Sequence, residues 1–289
     1  MPGAGNDQVI RFGVVTDIHF STESEPAENE SAAVPHAAAD LRGWIENCIK
    51  NQVDFLLQLG DIIKGTAEHH EAELSQATAI LNEFHGTIRH VIGNHCLAVP
   101  RPELLQALGL KAPYYSFTIK EYRFIVLDGM DVSVLDNPET PQDLKTLEFY
   151  QAQFEIAPEL HDYCGAVGLR QKEWLKTELQ AAEQASERVI ILCHFPLWPE
   201  TTDPKHGLLW NHSEIAELLA SSTAVKACIS GHYHYGGYLL HSGIHFIVLP
   251  AFVNRHEHPD FACGTVELHR DYMVVRNQNN KAMFNLAMN

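Results

Sequence analysis

"RFGVVTDIH", Arg11 to His19, is the stretch that decides the fold. Its apolar residues run continuously instead of alternating, the mark of a strand buried on both faces. It then stops on Asp17 and His19. The same form recurs along the chain in "DFLLQLGD" (Asp54–Asp61), "IRHVIGNH" (Ile88–His95), "YRFIVLD" (Tyr122–Asp128), "RVIILCH" (Arg188–His194), "VKACISGH" (Val225–His232) and "HFIVLPAF" (His245–Phe252).

Helix-period segments lie between these runs. "HAAADLRGWIENCIKN" puts Leu41, Ile45, Cys48 and Ile49 on one stripe, and "LRQKEWLKTELQAAEQ" does the same with Leu169, Trp174, Leu175 and Leu179. "NHSEIAELLA" predicts a helix with Ser213 as its N-cap. Strands alternating with helices indicate an α/β fold. Two hairpins, one turning at Lys120–Glu121 and one near Arg270–Asp271, make the sheets mixed. No linker divides the chain, so residues 1–289 read as a single domain. Two stretches break the rhythm. The acidic Ser21–Pro35 reads as a mobile loop. Gly129–Gly168 reads as an irregular, cap-like insertion with a helical middle, long enough to be functional.

Hydrophobic residues make up 45% of the chain and charged ones 20%, an ordinary globular balance. The formal net charge is −17. That disfavours long nucleic acid as a partner, because phosphate backbones are bound through Lys and Arg. A small phosphorylated molecule stays compatible if bound cations reverse the local sign. No apolar run is long enough for a membrane span, and the N-terminus lacks the pattern of a signal peptide. Six dispersed cysteines without a C-x-x-C read as free thiols in the cytoplasm.

In open α/β sheets, ligands gather beyond the carboxyl ends of the strands. There this chain places Asp17 and His19, Asp61, Asn94 and His95, His194, and His232 with His234. Each group alone is an unremarkable turn, cap or buried histidine, and the chain holds 18 histidines. Arriving in order at five strand ends, they read as one site. Carboxylates, imidazoles and a carboxamide together suit manganese, iron or zinc. Seven such ligands exceed one tetrahedral ion and fit two cations sharing a carboxylate, the equipment of phosphoester hydrolysis.

These residues resemble the calcineurin-like metallophosphoesterases. The pattern D-x-H, G-D, G-N-H, His and G-H-x-H stands here as Asp17–His19, Gly60–Asp61, Gly93–His95, His194 and Gly231–His234. The resemblance implies a four-layer α/β/β/α sandwich of two mixed sheets flanked by helices. It implies one divalent metal ion on Asp17, His19 and His234, a second on Asn94, His194 and His232, and Asp61 bridging them. His95 resembles the histidine that acts on the leaving oxygen. Cys96 departs from the family, which has an acidic residue there to orient the neighbouring histidine.

The second half is similar to a narrower branch, the manganese-dependent ADP-ribose/CDP-alcohol diphosphatases, through "CHFPLWPETTDPKHGLLWNHSEI" and "GHYHYGGY". His19 is a departure, since that branch often lacks the histidine of D-x-H. The similarity implies cleavage of a pyrophosphate joining a nucleoside to a sugar or alcohol. Phe20, Trp210, Asn211, Tyr235 and Tyr238 are its candidate pocket residues, each with packing as the competing role. The alternative is a cyclic-nucleotide, glycerophosphodiester or general phosphodiesterase on the same metals. A non-catalytic binding platform is disfavoured, because every ligand is retained.

Overall fold

The computed structural model describes residues 9–22, 37–136, 138, 140–157, 159–257 and 263–288. Most of the Ser21–Pro35 loop lies outside these. In chain order the elements are β1 (Ile10–Val15), α1 (Ala37–Lys50), β2 (Phe55–Gln58), α2 (His70–Leu81), β3 (Thr87–His90), α3 (Arg101–Ala107), β4 (Tyr115–Ile119) and β5 (Tyr122–Val126). Next come β6 (Val132–Ser133), α4 (Pro141–Gln151), β7 (Gly165–Ala166), α5 (Leu169–Ala185), β8 (Arg188–Leu192) and α6 (His212–Ala220). The chain finishes with β9 (Val225–Ser230), β10 (Gly237–His241), β11 (Ile244–Val248), β12 (Cys263–Leu268), β13 (Tyr272–Asn277) and β14 (Ala282–Ala287).

Two six-stranded mixed sheets form, in the orders β14-β13-β12-β1-β2-β3 and β10-β11-β9-β8-β5-β4. The two-residue period of a strand divides its side chains between two layers. In β1, Phe12 and Val14 enter the core between the sheets, while Val15 faces Leu41, Trp44 and Ile45 of α1. In β8, Ile190 and Leu192 join the same central core, while Val189 and Ile191 pack under Leu175, Leu179 and Ile215 of α5 and α6. The result is the expected α/β/β/α sandwich. Phe12 stacks on Phe55 at 4.8 Å and meets Phe124 edge-on at 5.8 Å, and each fully buried Phe contributes about 1.5–3 kcal/mol.

β1, β2 and β3 run parallel in one sheet; β5, β8, β9 and β11 do so in the other. Five of these seven strands, β1, β2, β3, β8 and β9, are followed by side chains that come together at one place. Both expected hairpins form, β4–β5 and β12–β13, and β14 adds a strand the sequence pattern did not show.

Several local expectations need correction. Ile49 and Leu169 are 47% and 46% exposed; they sit in terminal helical turns beyond the sheet, and Trp44 and Gln171 are buried on those helices instead. α6 begins at His212 with Asn211, not Ser213, in the N-cap position. Gly129–Gly168 carries short regular elements besides its helical middle. Val132 and Ser133 pair with Ala166 and Gly165, and α4 between them is capped by Thr140, whose hydroxyl accepts from Asp143 N at 3.1 Å.

Candidate metal centre

The turns after the strands hold unusual backbone. Asp17, His19, Asp61 and His232 have φ of 50°, 44°, 51° and 67°, left-handed values that cost a non-glycine residue about 1–3 kcal/mol. Glycine precedes His232 for a reason other than turn geometry. A Cβ on Gly231 would lie 1.9 Å from Thr16 Oγ1 and 2.5 Å from Asp17 Oδ2. Gly231 thus admits a close neighbour, and His232 itself takes the strained conformation.

Each carboxylate is tethered through one oxygen. Asp17 Oδ2 accepts from Thr16 Oγ1 at 2.6 Å and from the His232 amide at 2.9 Å. Asp61 Oδ1 accepts from the His95 amide at 2.9 Å. The other oxygens face imidazoles. Asp17 Oδ1 is 3.7 Å from His19 Nε2 and 3.6 Å from His234 Nε2, while Asp61 Oδ2 is 3.3 Å from His194 Nε2 and 3.8 Å from His19 Nε2. Asp17, His19 and His234 bring one ligand atom each within 4.8 Å of one another, as do Asp61, His194 and His232, and His19, Asp61 and His95.

Backbone carbonyls orient the rings. A carbonyl can only accept, so each nitrogen bonded to one carries a proton, and in the neutral ring its partner nitrogen keeps the lone pair. His194 donates Nδ1–H to Leu59 O at 2.9 Å, leaving Nε2. His232 donates Nε2–H to His206 O at 2.8 Å, leaving Nδ1. His95 donates Nδ1–H to Lys64 O at 2.7 Å, leaving Nε2. Cys96 is buried, and burial pushes its thiol up to about 12. The carbonyl of Lys64 therefore orients His95 in place of the acidic residue the family resemblance expects.

Asp17 Oδ1, His19 Nε2, Asn94 Oδ1 and His194 Nε2 are buried with no hydrogen-bond partner. The remaining orphans among the described residues, Arg89 Nε, Trp198 Nε1 and Asn277 Nδ2, are all N–H donors. Buried polar atoms without partners are costly unless a cation satisfies them, and those of Asp17, His19 and His194 belong to the groups just described. The donor set of oxygen and imidazole nitrogen fits a divalent transition metal. The electrostatics agree. Burial would raise the Asp17 and Asp61 carboxyls, yet the surrounding imidazoles hold both below the usual range. Burial would lower His194, but Asp61 and Asp17 carry it up to about 9. Burial, joined by the charge on His194, drives His232 down to about 3.

The comparisons with known proteins converge on this arrangement. The family model for calcineurin-like phosphoesterases matches residues 10–236. The chain belongs to the calcineurin-like phosphoesterase family. As such it is a metal-dependent hydrolase. A manganese-dependent ADP-ribose/CDP-alcohol diphosphatase of Arabidopsis thaliana is 32% identical over 87% of this chain and 88% of its own length. A protein of the same name from Oryza sativa subsp. japonica is 29% identical over 94% and 92%. The crystal structure of a dimetal phosphatase from Danio rerio superposes with a TM-score of 0.84 at 25% identity, covering 97% of this phosphoesterase and 99% of that chain.

Of the five candidate pocket residues, Phe20, Trp210 and Asn211 are engaged in packing and backbone contacts. Phe20 is buried in the core under α1 and bridges to Ile63, so its ring has no face for a base. Trp210 is buried against Tyr150 and Phe154 and donates Nε1–H to His161 O at 2.9 Å. Asn211 is buried, its amide accepting from Val167 N and donating to Val167 O. Tyr238 hydrogen-bonds His245 and packs on Phe284. Tyr235 is 54% exposed beside Tyr233 and His206. The carbonyls of Leu59, Lys64 and His206, and the Thr16 hydroxyl, escaped the sequence reading.

Proposed function

We propose that the protein is a dinuclear-metal phosphohydrolase of small nucleoside diphosphate derivatives, ADP-ribose and CDP-alcohols among them, cut at the pyrophosphate. In this reading Asp17, His19 and His234 hold one cation, Asn94, His194 and His232 hold the other, and Asp61 bridges. The observation that carries it is the pair of buried, singly tethered carboxylates, Asp17 and Asp61, with the imidazoles of His19, His194, His232 and His234 gathered about them. The relatives' names support manganese and the substrate class; iron or zinc would also suit the donors. Bound there, the cations would supply Lewis acidity toward phosphoryl oxygens and toward an attacking water. They also offset the −17 charge that would otherwise repel an anionic substrate.

The chain's own residues do the rest. Asp61 is tied to His95 through the His95 amide, so the bridging carboxylate and the exposed imidazole keep a fixed relation. With Nδ1–H held by Lys64 O, His95 in its imidazolium form presents Nε2–H to the leaving oxygen and gives it that proton. Asn94 supplies a neutral oxygen, which lets the substrate side approach without added negative charge. Six free, buried thiols fit a reducing compartment, and we place the enzyme in the cytoplasm. No described helix is long and apolar enough to cross a membrane.

The test is a substrate panel with manganese, magnesium, iron and zinc. ADP-ribose or CDP-choline should be hydrolysed in preference to bis-p-nitrophenyl phosphate and cAMP, and Asp61→Ala should abolish that activity. Turnover of the generic diester or cyclic nucleotide alone would refute the substrate assignment.

A further inference from the structure

The segment between Gly129 and Gly168 meets His232 directly, with Cys164 Sγ 3.8 Å from Nε2 and the Tyr163 ring 5.9 Å from the imidazole, and it also reaches His232 through a second loop. His161 Nε2 lies 2.7 Å from the carbonyl of Pro204, and the Tyr163 hydroxyl donates to the carbonyl of Lys205 at 3.0 Å. Their rings stack parallel at 4.8 Å, so the two contacts act as one bracket. The loop they grip, Thr202–Gly207, carries His206, whose carbonyl receives Nε2–H of His232. It is closed on itself by Asp203, which accepts from both the amide and the ring of His206. Gly207 has φ of 76°, and a Cβ there would lie 2.7 Å from His161 and 3.1 Å from the Cys164 sulfur. The contact between segment and loop is therefore too close for any side chain at that position.

We propose that His161 and Tyr163 are positioning residues for one cation: by pinning Pro204 and Lys205 they hold the His206 carbonyl on His232 Nε2–H, which keeps His232 Nδ1 free to ligate. The inference rests on the reading of His232 as a metal ligand. The physical need is specific. A neutral imidazole interconverts between two tautomers, and only one leaves the inward nitrogen with a lone pair. The buried surroundings of His232 offer Nε2 the His206 carbonyl at 2.8 Å and the weakly interacting Cys164 sulfur at 3.8 Å. If the loop relaxed, the preference between tautomers would fall. Hydrogen-bond partners of metal-ligating histidines typically affect metal affinity about 10–100-fold. His194 needs no such bracket, because its own carbonyl partner is Leu59, directly after β2.

The experiment titrates the metal-stripped full-length protein with manganese by calorimetry and electron paramagnetic resonance. Wild type should bind two ions. His161→Leu should weaken one of them about 10–100-fold and leave the other unchanged, and Tyr163→Phe, which removes one hydroxyl and no ring, should weaken the same ion to a smaller degree. His161→Gln, whose amide N–H can reach the Pro204 carbonyl, should restore affinity. In the metal-free protein, long-range nitrogen correlation spectra should show His232 in the Nε2–H tautomer, and a mixture in His161→Leu. Wild-type affinity for both ions in His161→Leu, or a loss in His161→Gln equal to that in His161→Leu, overturns the inference while the metal reading stands. Fewer than two ions on wild type overturns both.

Discussion

Loading the metal-free protein with manganese should release protons, and the structure sets how many. His194 is fully buried between two carboxylates that raise it to about 9, so at pH 7 about 99% of it carries a proton that a cation must displace. His19 is raised as well: burial lowers it, and Asp17 and Asp61 more than offset that. His232, driven to about 3, and the two carboxylates, held low, contribute none. Between one and two protons should therefore leave per protein at neutral pH. For the ion that takes His194, the apparent affinity should rise nearly tenfold per pH unit near pH 7 and flatten toward 9, about fiftyfold from pH 7 to 9, or about 2.3 kcal/mol. The sign for stability runs opposite in the metal-free form. A raised histidine contributes fully below about 6.5, and that contribution is lost as pH rises through about 9. Titration with manganese in weakly buffered solution, in two buffers of different ionisation enthalpy, measures the protons directly. PH-independent affinity with no proton release would refute the electrostatic account of the site.

Further outcomes follow from individual side chains. His95→Ala should slow turnover about 10²–10⁴-fold with metal content near that of wild type; loss of both metals by elemental analysis would reassign His95 as a ligand. Gly231→Ala forces a Cβ to within 1.9 Å of Thr16 Oγ1 and 2.5 Å of Asp17 Oδ2, so manganese content should fall while circular dichroism keeps the mixed α/β signature; unchanged metal content would show that strand end to be more yielding than drawn. Asn211→Ala removes both bonds to the Val167 backbone and should cost about 1–3 kcal/mol in urea unfolding with KM unchanged. A raised KM at unchanged stability would put Asn211 in the substrate pocket.

The layers were legible because buried parallel strands leave continuous apolar runs, and Phe12, Val14, Ile190 and Leu192 entered the core as that pattern requires. The gathering of Asp17, His19, Asp61, His194, His232 and His234 was legible because each follows a buried strand whose end the pattern marks. Side-chain direction one residue further on was not. Phe20 follows His19 directly, yet its pairing with Ile63 turns the ring into the core. Asn211 carried a polar side chain into a segment read as pocket wall, but the start of α6 and the backbone of Val167 claim it. The acceptors that fix His95, His194 and His232 are carbonyls of Lys64, Leu59 and His206. Every residue has a carbonyl, so nothing in the residue types marks those three. Gly129–Gly168 looked irregular because its two strands are two residues long, too short for any period to show.

The central claim is that two cations sit between the strand ends with Asp61 shared. Anomalous diffraction at the manganese edge, from crystals grown with manganese, tests it most directly. The account predicts two peaks roughly 3.5–4 Å apart, one beside Asp17, His19 and His234, the other beside Asn94, His194 and His232, with the Asp61 carboxylate between them. A single peak, or peaks away from these side chains, would contradict it.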